Sequence, residues 1–583
     1  MIADVLFDVP VRRAFSYAVP PDVTLRPGQR VSAPLHGRSR VGVVALVRQG
    51  DEAALKPIDR AVESAPIASA AALRLSRWAA DQSLSPWGST LLSLLPPPPR
   101  TGASEPFAPP PEPAGGAAPS PEVWIGASRA RRLVDLLRTE AGSALVIAPD
   151  REGAARWAKH LEAARLDSGA SEAARRAAWL AAARGRARVV VGTRSALLAP
   201  LPPPATLVLL EEHDPAHKPP GAPRLHSRDL LRERAAIEAS RLLFLSATPS
   251  AETWAWAEPA SALRPPEGSE PWPEIVASDA RGILRNHPLT LTLTRAIEDA
   301  TRRGRKVALL ITRRAAAIIC ADCGAIVRCA RCGVPLPFGR STAALPCRLC
   351  ALVSTRPDQC PTCGSHRLAP LGWDAERVEA AVARRFPRVA VSRSDPTAQV
   401  LVGPPALLST LPPGKLGCVG IVSLDGLLGA LDFRGGERAF QTAWAAAAAV
   451  APSGRVVVQT LHPTHYALAA VQAHDLSTFY AHELGLRADL GYPPFRRLCT
   501  VAVRGPSDGE ARARIEECAR ALDGIGGLTV YPPAPAAPAA VGRWQFVIKG
   551  PDELPRLIGP ALEPLLESRR RRSAVVEIEM DPA

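Results

Sequence analysis

Eight cysteines fall within one 44-residue stretch of this 583-residue chain, and they constrain its fold more than any other feature. They form four Cys-x-x-Cys pairs: Cys320/Cys323, Cys329/Cys332, Cys347/Cys350 and Cys360/Cys363. A two-residue gap lets one tight turn aim two sulfurs at one metal, and zinc takes four such ligands at the corners of a tetrahedron. Disulfides suit secreted chains, and we expect no signal peptide at this N-terminus, so zinc is the favoured interpretation.

Two sites of four thiolates each are the natural count, but the sequence leaves their pairing open. Joining neighbouring pairs would leave only five residues, 324–328, between the first two, whereas nesting leaves a 14-residue loop, 333–346, inside the inner site. We favour nesting, with Cys320, Cys323, Cys360 and Cys363 on the first zinc and Cys329, Cys332, Cys347 and Cys350 on the second. Closed thiolate sites leave no position for a catalytic water, so both ions should be structural.

The composition indicates an anionic partner but does not establish one. The net charge is +15, the pI is about 9.8, and arginine supplies most of the positive charge. Neutralising phosphates releases counterions and drives binding, so a nucleic acid is the expected partner. The alternative is a codon bias towards Arg, Ala and Pro, which the 61 prolines support. No run of 18 apolar residues occurs, and we expect no membrane association.

The N-terminal part of the chain is predicted to be a small β-rich domain covering residues 1–98. Alternating apolar and polar residues with intervening Pro and Gly predict its strands, and residues 70–95 show helical spacing with a break near Ser85-Pro86. Residues 99–121 form a Pro/Ala/Gly tract that has little to bury, and we interpret it as a linker.

A multidomain α/β fold is expected for the rest of the chain. Apolar strands near residues 144–147, 188–191, 207–210 and 242–245 alternate with helical segments, which predicts a mostly parallel sheet. The predicted parts are lobe 1 (122–280), lobe 2 (281–319 and 364–476), the Cys-rich module inserted in lobe 2 (320–363), and an α+β C-terminal domain (477–583). Two parallel α/β lobes in tandem are typical of motors that translocate on nucleic acid, although fold alone does not establish activity.

Several short strings resemble, in order, those of the PriA family, the superfamily-2 helicases of bacterial replication restart. The strings are Gly192–Pro200, Glu211–Asp214 with Arg228-Asp229, Ser246–Ser250, Asp432–Arg434 with Glu437 and Gln441, and Tyr480–Leu484 with Gly491–Phe495. The cysteine spacing is similar to that family's nested two-zinc module. The resemblance assigns Thr193 and Arg194 of the first string to contacts with nucleic acid.

The chain departs from the family pattern in the ATPase motifs. Where the family has GxTGSGKT, Trp124–Arg132 has no Gly-Lys-Thr, and Leu210 replaces the Mg²⁺-binding aspartate. Ala449 and Pro452 stand where the family has the arginines of QVAGRAGR, and residues 99–121 take the place of a winged-helix domain. With the Walker A lysine, the Walker B aspartate and the arginine finger not found, we predict a degenerate helicase that is not an enzyme and does not hydrolyse ATP. A surviving, unusual nucleotide site is the alternative.

The first domain resembles the family's domain that binds the 3′ end of DNA. By position, Phe15 would stack on the terminal base, Gly37 would let the backbone approach, and Lys56 would meet a phosphate. A core aromatic and a solvated surface lysine are the alternatives for Phe15 and Lys56. The family's aspartate after the phenylalanine is Ser16 here, which puts selectivity for a free 3′ end in doubt.

The resemblance therefore implies a replication restart protein. It would bind stalled or abandoned forks and single-stranded DNA and promote primosome assembly in the cytoplasm, at the nucleoid. Single-stranded-DNA-binding protein and the primosome or helicase-loading proteins are the expected partners. The alternatives are an active ATP-dependent 3′→5′ helicase and a primosome scaffold that no longer binds DNA.

Overall fold

The computed structural model describes the chain from Met1 to Pro582 with gaps. The described residues are 1–99, 118–266, 268, 270–281, 287–312, 316–320, 322–323, 325–331, 333, 335–338, 344–347, 352–371, 373–428, 432–536, 542–567 and 574–582. Most of the predicted linker at 99–121 lies outside the described residues, as do Cys332 and Cys350.

A five-stranded antiparallel sheet forms the first domain, in the order β2-β1-β4-β3-β5. Its strands are β1 (Ile2–Leu6), β2 (Phe15–Ala18), β3 (Arg30–Leu35), β4 (Arg38–Arg48) and β5 (Arg60–Ala61). Helices α1 (Ala70–Ser83) and α2 (Trp87–Leu94) follow. Ser69 caps the start of α1, and Leu84 ends it in a left-handed conformation ahead of Pro86. The predicted strands and the predicted helix break are therefore observed.

A seven-stranded sheet in which every pairing is parallel comes next, in the order β12-β6-β11-β10-β7-β9-β8. Its strands are β6 (Glu122–Trp124), β7 (Ser143–Ile147), β8 (Ala164–Leu166), β9 (Val189–Gly192), β10 (Ala205–Leu210), β11 (Arg241–Leu245) and β12 (Leu263–Arg264). Its helices are α3 (Arg129–Thr139), α4 (Arg151–His160), α5 (Glu172–Ala183), α6 (Ser227–Glu238) and α7 (Ala251–Ala257). A continuously apolar strand such as β10 fits here because packed residues cover both faces of the sheet.

The second lobe contains a six-stranded parallel sheet, and the Cys-rich module is inserted in it. The strands of this region are β13 (Glu274–Asp279), β14 (Val307–Leu310), β15 (Ala316–Cys320), β16 (Pro337–Phe338), β17 (Ala344–Pro346), β18 (Val353–Thr355), β19 (Leu368–Leu371), β20 (Val391–Ser392), β21 (Val400–Gly403), β22 (Leu416–Ile421) and β23 (Val450–Thr460). The helices are α8 (Leu291–Arg302), α9 (Ala375–Arg385), α10 (Asp425–Leu428), α11 (Gly435–Ala449) and α12 (Tyr466–Ala473). The parallel sheet has the order β13-β23-β22-β14-β21-β20, and small antiparallel sheets (β16-β15-β19 and β17-β18) form the module.

The sheets divide the chain at different residues from those predicted. β13 precedes residue 280, yet it pairs in parallel with β23 of the second sheet. The reason is tertiary: β23 pairs with β22 along one edge and with β13 along the other. The local sequence pattern of β13 does not reveal which strand it will pair with. The module's own sheet also extends past 320–363, because β15 pairs with β19, with Cys320 opposite Leu368.

An antiparallel sheet flanked by helices closes the chain. Its elements are α13 (Leu476–Leu490), β24 (Arg497–Arg504), α14 (Asp508–Arg520), β25 (Thr529–Val530), β26 (Ala534–Pro535), β27 (Arg543–Gly550), α15 (Leu554–Glu567) and β28 (Val575–Met580). β24 lies between β27 and β28. The protein is thus a multidomain α/β chain with two parallel sheets. Within the described ranges, none of its helices has both the length and the apolar character needed to span a membrane.

Candidate metal centre and nucleic-acid interface

Four of the predicted zinc ligands come together in the structure. The sulfurs of Cys320, Cys323, Cys360 and Cys363 all lie within 4.8 Å of one another. Cys320 Sγ is 3.6 Å from Cys363 Sγ, and Cys323 Sγ is 3.6 Å from Cys360 Sγ. Four thiolates about 2.3 Å from a tetrahedral zinc would be separated by roughly 3.8 Å, so the group has the size of a zinc site. This group of four cysteines can therefore hold a metal ion, and its donor set is that of zinc.

Backbone hydrogen bonds shape the two turns that carry these sulfurs. The N–H of Cys320 donates to the carbonyl of Ala325, and the N–H of Cys360 donates to that of Ser365, each at 2.8 Å. N–H groups of Cys363 and Thr362 face the Cys360 sulfur and lower the pKa of that thiol to about 6. At neutral pH Cys360 is therefore a thiolate, the form that binds metal, whereas the neighbouring sulfurs raise the pKa of Cys363 to about 12.

The second predicted ligand set is described only in part. Cys329 and Cys347 are both buried beside Ile318, Val327 and Leu345. Their partners Cys332 and Cys350 lie outside the described residues. The nested pairing of this second set stays a prediction.

Phe15 lies half-buried at the start of β2. Its ring meets Phe7 edge to face with 5.9 Å between centroids, and the Arg13 guanidinium carbon is 6.0 Å from the ring centre. The half-buried ring packs on Phe7, and its contact with a base stays a prediction.

Gly37 and Lys56 are the other two candidate DNA contacts of this domain. Both lie in segments that hydrogen-bond to β2. Gly37 lies in the turn between β3 and β4 with φ +76°, and a side chain there would meet nothing within 4 Å. The Tyr17 hydroxyl donates to the carbonyl of Pro34 at 3.0 Å, which ties that turn to β2. Lys56 is exposed, and its carbonyl accepts from the N–H at the end of β2 at 3.0 Å. The turn and the Lys56 segment thus flank β2, and the contacts with DNA remain predictions.

A carboxylate that the sequence analysis missed lies beside Ser16. Ser16 Oγ donates to Asp4 Oδ1 at 2.7 Å, and the two residues are directly opposite in the β1–β2 pair. Arg48 Nε donates to Asp4 Oδ2 at 3.0 Å. Burial alone would raise the pKa of Asp4, but the bonds from Arg48 and Ser16 outweigh it and lower the pKa. An antiparallel pairing of the first two strands, which the sequence analysis did not consider, was the signal that could have found Asp4.

Thr193 and Arg194 lie at the carboxyl end of β9, where a 3-10 helix (Arg194–Ala196) begins. The Arg194 guanidinium donates to the carbonyls of Ala222 and Pro223, and its Nε is buried without a partner. Burial lowers the pKa of Arg194 to about 10. Both residues border a cavity of about 260 Å³ that Arg151 also lines. The carboxyl edge of a parallel sheet is where open α/β folds bind their ligands.

The Glu211–Asp214 string joins two other motif strings through one buried carboxylate. Glu212 Oε1 accepts from Arg228 Nη1 at 2.8 Å and from Ser250 Oγ at 2.7 Å, and its Oε2 accepts from Ser250 N at 2.9 Å. Glu211 accepts instead from Arg129 Nη2 at 2.7 Å. Strings that are far apart in the sequence therefore meet at one point at the end of β10.

A cavity of about 360 Å³ lies between the loop after β6 and the second lobe, where Trp444 and His474 line it. Gly126 of that loop has φ +88°, and the next N–H, that of Ala127, donates to the Glu270 carboxylate at 2.6 Å. A backbone N–H that holds a carboxylate ahead of a helix marks a position suited to an anion. The structure thus keeps a cleft between the lobes at the place that the resemblance assigns to a nucleotide.

A buried ionic network, which the sequence analysis also missed, connects both lobes to the C-terminal domain. Arg434 Nη2 donates to Glu252 Oε1 at 2.6 Å, linking α11 of the second lobe to α7 of the first. Arg487 of α13, 2% exposed, donates to Glu437 and to Glu483, each at 2.8 Å. We name these five residues the interlobe network.

Two family models match the ends of the chain. The 3′ DNA-binding domain (3′BD) of PriA matches residues 4–96, and the C-terminal domain of primosomal protein N matches residues 488–583. The first match covers Phe15, Gly37 and Lys56, so these residues lie within a domain described as binding DNA.

Curated relatives extend the similarity to most of the chain. Replication restart protein PriA of Bacillus subtilis is 27% identical over 455 residues, 72% of this chain and 56% of the relative. The Synechocystis protein is 29% identical over 66% of this chain and 52% of the relative, and the Treponema pallidum protein is 29% identical over 72% and 68%. The first two matches cover about half the length of those relatives.

Solved structures resemble the chain only weakly. RecG bound to a three-way DNA junction is 8% identical with a TM-score of 0.36, covering 63% of this chain and 44% of that one. S. cerevisiae Dbp5 bound to RNA and ADP BeF3 is 10% identical with a TM-score of 0.32, covering 62% and 83%. Similarity at this level supports no conclusion about function.

The prediction that the chain is not an enzyme is wrong, because it conflicts with these relatives. That prediction was based on residues such as Leu210 and Ala449, which differ from the ATPase motifs of a helicase-type family. The similarity to PriA proteins nevertheless extends over 72% of the chain, and the cleft between the lobes is present. The motif resemblance itself is confirmed: the two ends of the chain match PriA domain models, and its curated relatives are PriA replication restart proteins.

Proposed function

We propose that the chain binds forked and single-stranded DNA and promotes primosome assembly at stalled replication forks. The observation that carries the proposal is the match of residues 4–96 to a 3′ DNA-binding domain whose candidate contacts flank one strand, β2. Phe15 offers a ring face, Lys56 a cation, and Gly37 an open backbone, which are the three kinds of contact that a terminal nucleotide needs.

A second surface for the same DNA lies in the first lobe. Thr193, Arg194 and Arg151 line a basic cavity at the carboxyl edge of the sheet. Arg194 is held on two carbonyl groups, and among the described residues no carboxylate forms an ion pair with it. We assign this cavity to the sugar–phosphate backbone, which arginine recognises without reading sequence.

The Cys-rich module supports the proposal as a rigid surface. We assign one structural zinc to Cys320, Cys323, Cys360 and Cys363, and a second to Cys329, Cys332, Cys347 and Cys350. Single-stranded-DNA-binding protein and the proteins that load the replicative helicase are the proposed partners, and the nucleoid of the cytoplasm is the proposed place of action.

Forked-DNA binding by the purified chain tests the proposal. We expect saturable binding that weakens steeply as salt rises, because phosphate contacts release counterions. The double change Phe15→Ala and Lys56→Ala should lower the affinity about tenfold or more, since one stacked base alone contributes about 1–3 kcal/mol. Lys415→Ala, at an exposed lysine of the second lobe, is the matched control and should bind as the unchanged chain does.

Two outcomes would contradict the proposal. One is the absence of any shift of forked DNA at low salt. The other is equal affinity for the double variant, the Lys415→Ala control and the unchanged chain, which would remove the first domain from the DNA interface.

A further inference from the structure

A groove runs between two helices on the outer side of the first lobe, and nothing in the proposed function uses it. We name it the α3–α4 groove. It has a volume of about 580 Å³, and its walls include Arg131, Val134 and Arg138 of α3 and Arg156, Trp157 and His160 of α4. Both helices pack on the same face of the parallel sheet through the buried residues Leu133, Leu137, Ala154 and Ala158, so the groove is built on rigid elements.

The walls of the groove carry cations that lack partners. Arg131, Arg138 and Arg156 are exposed, and in the part of the chain that the structure describes none of their guanidinium groups makes a hydrogen bond or an ion pair. Asp135 is the one acidic residue among the described lining residues. Arginines on both walls can hold carboxylates in bidentate pairs, a geometry that lysine does not offer.

The floor of the groove is apolar. Val134 is buried, and Trp157 is half-buried between the helices. The His160 ring stands edge-on to Trp157, with 6.2 Å between centroids and 87° between planes. A large apolar side chain seated beside Trp157 would lose its contact with water, which provides a driving force that charge alone does not.

The position of the groove favours a peptide over a nucleic acid. In a parallel α/β unit each helix runs back from the carboxyl edge of the sheet, so Arg138 and His160 lie towards the opposite edge from Thr193 and Arg194. Single-stranded DNA needs a continuous track with several stacking platforms. Among its described lining residues this short groove offers only two rings, Trp157 and His160, which contact each other edge to face.

From this geometry we infer that the α3–α4 groove binds an acidic peptide segment of a partner protein. One large apolar side chain of the peptide seats on Trp157, and carboxylates on either side of it pair with Arg131, Arg138 and Arg156. The inference goes beyond the proposed function and does not depend on it, because no DNA contact enters the argument.

The test uses the full chain and a fluorescently labelled synthetic decapeptide in which aspartates flank one central phenylalanine. We expect saturable binding that falls about tenfold or more when Arg131, Arg138 and Arg156 are all changed to Glu, because three charge-assisted contacts become repulsive. Changing the exposed Arg302, Arg520 and Arg556 to Glu gives the same net charge elsewhere on the surface and should have little effect. Replacing the peptide phenylalanine by serine should weaken binding to the unchanged chain, and Trp157→Ala should abolish that difference.

Three results would overturn the inference. The first is that the decapeptide shows no saturable binding. The second is that both triple variants lose the same affinity for the decapeptide. The third is that the variant changed at Arg131, Arg138 and Arg156 loses affinity for labelled oligo(dT) but not for the decapeptide. The third would make the groove a nucleic-acid surface. Binding of forked DNA, measured in parallel, should be equal in the two triple variants, so a failure here is separate from a failure of the proposed function.

Discussion

One hydrogen bond changes how the proposed 3′-end site of the first domain is understood. The sequence put a hydroxyl, Ser16, where the PriA resemblance led us to expect a carboxylate. In the structure the Ser16 hydroxyl donates to Asp4, whose other oxygen accepts from Arg48. A carboxylate is thus present one strand away, with its pKa lowered and its charge kept at neutral pH. Residue 16 is uncharged in this chain, but the charged carboxylate of Asp4 lies next to it.

Asp4→Asn tests whether that carboxylate reads the end of a DNA strand. A carboxylate accepts strongly from a 3′-hydroxyl and repels a 3′-phosphate, and hydrogen bonds to charged groups contribute about 1.5–3 kcal/mol. We expect the variant to bind a 3′-hydroxyl end about tenfold more weakly and a 3′-phosphate end no more weakly than the unchanged chain does. Equilibrium titration of two duplexes that differ only in the 3′ group measures this preference. Asp22→Asn, an exposed site in the same domain, controls for net charge. An unchanged preference in Asp4→Asn would exclude the role.

At the scale of elements, sequence patterns found the strands but not their partners. Apolar runs such as 207–210 and 242–245 became β10 and β11, because a buried parallel strand needs apolar residues on both faces. β13 was placed in the wrong lobe, since its pattern does not say which edge it joins. The cysteine spacing predicted four sulfurs that do come together. Glu252 and Arg487 escaped detection, and Glu437 was found only as part of a motif, because these residues meet only through tertiary contact across up to 235 residues.

The Cys-rich element should depend on metal for its local structure. Cys320 ends β15, which pairs with β19, and Cys360 starts the turn on the other side of the sulfur group. We expect two zinc ions per chain by metal analysis, and loss of one in Cys360→Ser, with faster proteolysis near β15 and β19 while the first domain stays intact. Burial raises the pKa of the isolated Cys518 thiol to about 11, and Cys518→Ser should retain both ions. Fewer than two ions in the unchanged chain would contradict the assignment.

At the scale of the whole molecule, the interlobe network fixes how the lobes meet. Glu437 of the second lobe also accepts from the N–H of Ala251, which starts α7 of the first lobe, at 2.8 Å. Trp254 of α7 stacks on Tyr480 of α13 with 4.2 Å between centroids. Buried charges of this kind stabilise only while all partners are present, because an ion left alone away from water is costly. The arrangement of the lobes should therefore depend on the charge state of the carboxylates.

That dependence predicts loss of stability in acid. Burial would raise the pKa of Glu252, but Arg434, Arg487 and Arg228 outweigh it and hold the pKa well below the ordinary 4.5; the pKa of Glu437 is lowered by Arg487 in the same way. A carboxyl group whose pKa is lower in the folded than in the unfolded state stabilises fully above the unfolded value, and its contribution is lost as the pH falls below it. Below about pH 4.5 each group should remove up to about 1.4 kcal/mol per pH unit from the free energy of unfolding.

Urea unfolding between pH 3.5 and 6, compared with the double variant Glu252→Gln, Glu437→Gln, measures the effect. At pH 6 the variant should be less stable by roughly 3–5 kcal/mol, because Arg434 and Arg487 remain buried with fewer counter-charges. As the pH falls below about 4.5 the unfolded form of the unchanged chain takes up protons at these carboxyl groups, which lowers its free energy of unfolding. The double variant has no carboxyl groups at these positions, so the two free energies of unfolding should approach each other. Glu516→Gln, which removes an exposed ion pair with Arg512, should follow the unchanged chain at every pH. Parallel curves for the unchanged chain and the double variant would show that the network does not hold the lobes together through charge.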